Sequence, residues 1–299
     1  MRWEDFRRSG NIEDRRGQGG GFRMPGGRGG LGVGTVLVLG LIGYALGIDP
    51  RILIGGAEIL TGGGAPTTQQ APAPGKTGAP ADETGQFVAA VVGDTEDRWR
   101  ALFQAGGRQY EAPRLVMFDG VTSSQCGTAQ SAMGPFYCTL DRRVFLDTSF
   151  FAELERRFRG CSGKACQFAA AYVIAHEIGH HVQNQLGILP RVQQMQQRGM
   201  DRVEANRLQV MVELQADCFA GVWAHHAQQK LKFIEPGDVE AAMQTASAIG
   251  DDKMQRKTQG HVVPDSFTHG SSEQRVRWFT TGLKDGSVAA CNTFEAERL

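Results

Sequence analysis

The sequence carries no net charge, with 32 Lys and Arg against 32 Asp and Glu, so the chain as a whole offers no basic footprint for a nucleic acid. It has no CxxC spacing, which argues against a zinc ribbon, and no cysteine at all in its first 125 residues. No internal repeat is present, which removes solenoids and propellers. Little else is scarce: 41% of the 299 residues are hydrophobic and 21% charged, enough to bury a real core and to exclude wholesale disorder.

The neutral total conceals an asymmetry. Residues 1–28 hold seven arginines (Arg2, Arg7, Arg8, Arg15, Arg16, Arg23, Arg28) against four acids (Glu4, Asp5, Glu13, Asp14), a net of +3 that leaves −3 for the remainder. From Gly29 to Ile48 there is no charge, and Leu31 to Leu46 is strongly apolar. That length suits one bilayer crossing, so residues 29–48 read as a transmembrane helix. Basic residues cluster before it and only Arg51 follows closely, which places 1–28 in the cytoplasm as a basic tail and the bulk of the chain outside. Residues 49–86 are rich in Gly, Ala and Pro and read as a tether, leaving 87–299 as one globular domain.

All six cysteines (Cys126, Cys138, Cys161, Cys166, Cys218 and Cys291) fall in that exported domain, as an oxidising compartment permits. Proximity in sequence suggests Cys126 with Cys138 and Cys161 with Cys166, leaving Cys218 with Cys291 as a long-range staple.

The chemistry concentrates in one alanine-rich, proline-free run from Gln167 to Val182, which reads as a buried helix containing His176-Glu177-Ile178-Gly179-His180. Histidines four apart stand one turn above the other on one helical face, so both imidazoles can reach one Zn²⁺. Glu177 lies beside the first of them, where a carboxylate can take a proton from an attacking water. A catalytic zinc needs a third protein ligand and an open fourth position. The position where an extended motif would place a third histidine is Leu186. A second long helical segment, 201–229, offers Glu213 and Asp217 four apart among apolar neighbours: Glu213 as ligand, Asp217 as acceptor for the free ring N–H of His176. His181, His225, His226 and Glu204 are the rival ligands. His181 points about 100° away from the metal face, and the 225–226 pair reads as surface or helix-dipole residues.

These motifs, HEIGHHVQ at 176–183 and ELQADCFAG at 213–221, with GPFYC at 134–138, SFTHGSSEQR at 266–275 and the opening MRWEDFRRSGNIEDRRG, resemble the bacterial neutral zinc metallopeptidases, single-span membrane proteins. The resemblance implies an α+β, zincin-like domain, mostly helical with a small antiparallel sheet, with HExxH on one helix and a glutamate ligand on a second. It implies one Zn²⁺ per chain, a protein or peptide substrate, and a place in the inner membrane with the domain periplasmic or extracellular. Short apolar runs at 114–118, 134–138 and 143–146 are the candidate strands. Ser271 to Gln274 reads as a capping box opening a helix at 272–282, preceded by His269; His269 and Arg275 are the candidates for stabilising the oxyanion. The function expected is peptide-bond hydrolysis with Glu177 as general base. The opposing class is a catalytically inactive, zinc-binding envelope scaffold, which a closed four-ligand site would favour.

Overall fold

In the computed structural model the described residues are 1–18, 75–130, 134–157 and 164–299. Long proline-free runs rich in alanine and other apolar residues generate the long helices, and short β-branched and aromatic runs generate the strands. In chain order the elements are β1 (Ile12–Asp14), β2 (Lys76–Thr77), α1 (Glu83–Ala105), β3 (Arg114–Phe118), β4 (Val121–Ser124), β5 (Gly127–Gln130), β6 (Phe136–Cys138), β7 (Arg143–Asp147) and α2 (Ser149–Arg157). Then come α3 (Lys164–Gln185), α4 (Ile188–Gln196), α5 (Arg202–Leu231), α6 (Asp238–Ala248), α7 (Asp251–Gln259) and α8 (Ser272–Asp285). Short 3₁₀ turns sit at Pro264–Ser266 and Ala289–Cys291.

The five-stranded sheet runs β2-β1-β3-β7-β6, and β4 and β5 form a separate hairpin. The α+β class holds, but the expected antiparallel sheet is corrected. Its three central strands are parallel, β1 on β3 and β3 on β7, and only the outer strands β2 and β6 run antiparallel. The stretch between β3 and β7 is long enough to carry the chain back for a parallel pairing, a non-local outcome that local apolar runs do not encode.

The basic tail is the larger correction. Residues 1–18 belong to the same compact unit as 75–299. Met1, Trp3, Phe6 and Ile12 are buried in the main core. The Met1 ammonium lies 3.0 Å from Asp238, and the Arg2 amide donates to the carbonyl of Phe233 at 2.9 Å. β1 occupies the sheet beside β3, and the Leu115 amide donates to the Asn11 carbonyl. The arginines are spent internally: Arg7 on Glu96 and Asp97, Arg15 on Glu13, Arg16 on Asp14 and Asp82. Residues 1–18 are therefore part of the folded domain rather than a separate tail. The domain also begins earlier than residue 87, since β2 and the first turn of α1 precede it. The transmembrane helix expected at 29–48 lies outside the described residues, and no helix among those described is long and apolar enough to cross a membrane.

Three helices carry the site, and glycine sets how closely they approach. At the crossing of α5 and α8, a Cβ on Gly282 would stand 2.0 Å from the Cys218 carbonyl oxygen and one on Gly221 2.2 Å from that of Phe279. Any side chain there would force the helices apart. Where α3 meets α5, a Cβ on Gly179 would come within 3.1 Å of the Ala216 carbonyl. The expected capping box is present: the Ser271 hydroxyl accepts from the Gln274 amide and the Gln274 side chain accepts from the Ser271 amide, so α8 starts where the sequence indicated and runs on to Asp285. Disulfides join Cys126 to Cys138 and Cys218 to Cys291, as expected. Cys166 is also disulfide-bonded, whereas Cys161 lies outside the described residues.

Candidate metal centre

Helix α3 presents His176 and His180 one turn apart, and α5 presents Glu213 to both. One ligand atom from each of the three lies within 4.8 Å of the others. The Glu213 Oε2 is 3.2 Å from His176 Nε2 and 3.6 Å from His180 Nε2. Tetrahedral bonds to zinc with the usual N and O lengths put neighbouring donor atoms about 3.4 Å apart, so two imidazoles and a carboxylate at these separations fit a Zn²⁺. Among the described residues no fourth His, Cys, Asp or Glu joins the group.

Each donor is held from behind. Asp217, one turn after Glu213, places Oδ1 2.8 Å from His176 Nδ1. The same carboxylate accepts from the Tyr172 hydroxyl at 2.5 Å and from Arg275 at 2.8 and 2.9 Å. His180 Nδ1 meets Gln183 Oε1 at 2.9 Å, and Glu213 Oε1 accepts from Gln209 at 3.0 Å. Imidazoles held by Nδ1 present Nε2 outward, which is the arrangement metal-binding histidines adopt. Gln183 and Gln209 were missed by sequence reasoning. The signal was available in their spacing, three residues after His180 and four before Glu213, which puts each on its ligand's face.

The charges agree with the geometry. Burial pushes His176 down, but Asp217 and Glu213 outweigh it and hold the ring at about 10 without metal. His180 is likewise raised, burial being overcome by Glu213. Burial alone would raise Glu213, yet His180 and His176 hold its carboxyl well below the usual range. Asp217 is held at about 2, because Arg275 and His176 overcome its burial. Glu177 is buried beside the two histidines. Its carboxyl is raised by burial, against the pull of His176 and His180 and a hydrogen bond from the Tyr137 backbone amide. That amide belongs to β6, the edge strand of the sheet.

The remaining expected residues separate cleanly. His181 is no ligand: its Nε2 donates to the Glu111 carbonyl at 2.7 Å and its Nδ1 faces the Tyr137 hydroxyl at 3.1 Å, tying β6 and the 111 loop to α3. His225 and His226 donate to the carbonyls of Leu283 and Gly286 and so close the C-terminal end of α8 rather than of their own helix. Glu204 is exposed in the first turn of α5, away from the metal group. Arg275 is buried and committed to Asp217, which removes it as an oxyanion candidate. His269 is half-exposed, and its Nδ1 lies 3.3 Å from Asp251, whose other oxygen accepts from the amides of Thr268, His269 and Gly270. Desolvation works against its charged form, but Asp251 and Glu213 outweigh it and raise the ring.

A family model described as "putative neutral zinc metallopeptidase" matches residues 1–294. The chain is 46% identical over 304 residues to "Uncharacterized protein YpfJ" of Escherichia coli K12, covering 98% of this chain and 99% of that one. It is 40% identical over 234 residues to "Uncharacterized protein Rv2575" of Mycobacterium tuberculosis H37Rv, covering 75% of each. No solved structure matches.

Proposed function

Because the chain belongs to the neutral zinc metallopeptidase family, we propose that it hydrolyses peptide bonds at the centre formed by His176, His180 and Glu213. The observation that carries this is the three-donor group with Glu177 beside it and no fourth protein donor among the described residues. When bound there, Zn²⁺ supplies Lewis-acid polarisation of a water and of the scissile carbonyl. His176, His180 and Glu213 hold the ion. Glu177 takes the proton of the attacking water and delivers it to the leaving amine; a carboxyl raised by burial is a better base for that task. His269, steadied by Asp251 and close enough to Glu213 for their charges to interact, is the group available to stabilise the developing oxyanion. A substrate strand adds along the free edge of β6, whose Tyr137 amide already faces Glu177.

The scaffold reading gains no support. His181 is engaged with Tyr137 and Glu111, and the described cysteines are disulfide-bonded, so neither closes the site. Two disulfides within the domain also support an oxidising compartment outside the cytoplasm. The test is zinc analysis together with incubation of the protein with a mixed peptide library, comparing wild type with Glu177→Gln. One zinc in both and cleavage only in wild type is the expected result; zinc without cleavage in wild type sinks the peptidase and leaves the scaffold.

A further inference from the structure

Behind His180 runs a chain of buried amides that no part of the proposed chemistry uses. His180 Nδ1 lies 2.9 Å from Gln183 Oε1. Gln183 Nε2 donates to the Val212 carbonyl at 2.8 Å and to Gln215 Oε1 at 3.0 Å. Gln215 Nε2 donates to the Cys291 carbonyl at 2.9 Å, and Cys291 is pinned to α5 by its disulfide to Cys218. Gln183 and Gln215 are 0% and 4% exposed, so water does not offer either amide an alternative partner.

The direction of this chain is fixed by its far end. A backbone carbonyl can only accept, so the Cys291 oxygen requires Gln215 to turn its NH₂ outward and its oxygen toward Gln183. Gln183 must then face its own NH₂ to that oxygen and to the Val212 carbonyl, which turns its Oε1 to His180. An oxygen acceptor at Nδ1 demands a proton there, so in the neutral ring the lone pair falls on Nε2, the nitrogen beside Glu213. Reversing any one amide would set donor against donor or oxygen against oxygen in a dry interior.

We propose that Gln183 and Gln215, anchored by the Cys291 carbonyl and its disulfide, are positioning residues that fix His180 as the Nδ1–H tautomer and so prepare the centre for metal. This rests on the metal reading of His176, His180 and Glu213 but not on peptide cleavage. Asp217 does the same for His176 with a charge; His180 receives the neutral counterpart.

The test is zinc affinity of the full chain, measured by chelator competition, with circular dichroism to confirm the fold of each variant. Gln183→Met, which keeps length but removes the acceptor, should weaken zinc binding by about 10–100-fold, the usual loss for an outer partner of a metal ligand. Gln183→Glu, which keeps an acceptor at Nδ1 but turns a second oxygen on the Val212 carbonyl and Gln215 Oε1, should bind zinc more tightly than Gln183→Met while unfolding more easily than wild type. Gln215→Met should weaken binding in the same direction by less. Wild-type affinity in folded Gln183→Met, or equal loss in the Met and Glu variants, overturns the proposal. Tight zinc binding that follows this order in a protein that cuts no peptide leaves it standing and removes only the peptidase reading.

Discussion

Arg275 grips Asp217 with two hydrogen bonds, Nε to Oδ2 at 2.8 Å and the terminal amine to Oδ1 at 2.9 Å, with both side chains buried. Asp217 in turn orients His176, so a residue on α8 acts on a candidate metal ligand on α3 through α5. Removing the guanidinium strands a buried carboxylate. Arg275→Met should cost about 3–5 kcal/mol of stability, the usual penalty for breaking a buried ion pair from one side. It should also weaken zinc binding. Chemical denaturation and zinc competition on the same variant check both effects; a stable Arg275→Met with normal affinity would show that Asp217 needs no partner.

Gly282 is the closest point of the α5–α8 crossing, where an added Cβ would meet the Cys218 carbonyl at 2.0 Å. Both atoms belong to rigid helix backbone, so relief requires the helices to separate. Gly282→Ala should cost about 1–3 kcal/mol or more. It should also lower zinc affinity by drawing Arg275 off Asp217. Thermal unfolding with and without zinc measures the pair of effects.

His181 predicts a pH dependence. Burial lowers its folded pKa to about 4, and a histidine in the unfolded chain titrates near 6.5. Between those values the unfolded chain binds more protons than the folded one, so stability rises with pH across that window and is lost as pH falls from 6.5 to 4. The full loss is about 3 kcal/mol. Urea unfolding of wild type and His181→Gln at pH 7 and pH 4.5 isolates it: the variant should lose less stability on acidification than wild type. Equal losses would mean that His181 is not buried in its neutral form.

The N-terminal segment gives a prediction in two parts. Phe6 is 4% exposed and packs edge-to-face on Phe233 with centroids 5.2 Å apart. Phe6→Ala should cost about 3–5 kcal/mol, as for a core aromatic, whereas a free tail would lose nothing. In addition, single cysteines at the exposed positions Glu4 and Lys257 should both react, or both fail to react, with a membrane-impermeant maleimide applied to intact cells. Opposite reactivity would place the segment across a membrane from the domain.

Much of the site was legible in the sequence because it is written in helical periodicity. His176, His180, Glu213 and Asp217 are pairs at i, i+4, and apolar neighbours betray the burial of each carboxylate. The Asp217–Arg275 pairing was not, since the partners are 58 residues apart and only the glycine-permitted crossing of α5 and α8 joins them. The capping box at Ser271 located the start of α8 because caps are local. β1 escaped for the opposite reason. Ile12-Glu13-Asp14 has almost no strand character of its own, and its place is set by pairing to β3 about a hundred residues away. The arginines of the same segment pair with Glu13, Asp14, Glu96 and Asp97, a use inside the fold that a count of charges along the chain does not reveal.

The central claim is an open zinc centre with two imidazoles and one carboxylate. X-ray absorption at the zinc edge, on protein loaded to one equivalent, tests it most directly. Two nitrogens with imidazole scattering at about 2.0–2.1 Å, one carboxylate oxygen and one further light-atom donor from solvent are predicted, with one imidazole lost in His180→Ala. Sulfur in the first shell, a third imidazole, or failure to bind zinc stoichiometrically would contradict it.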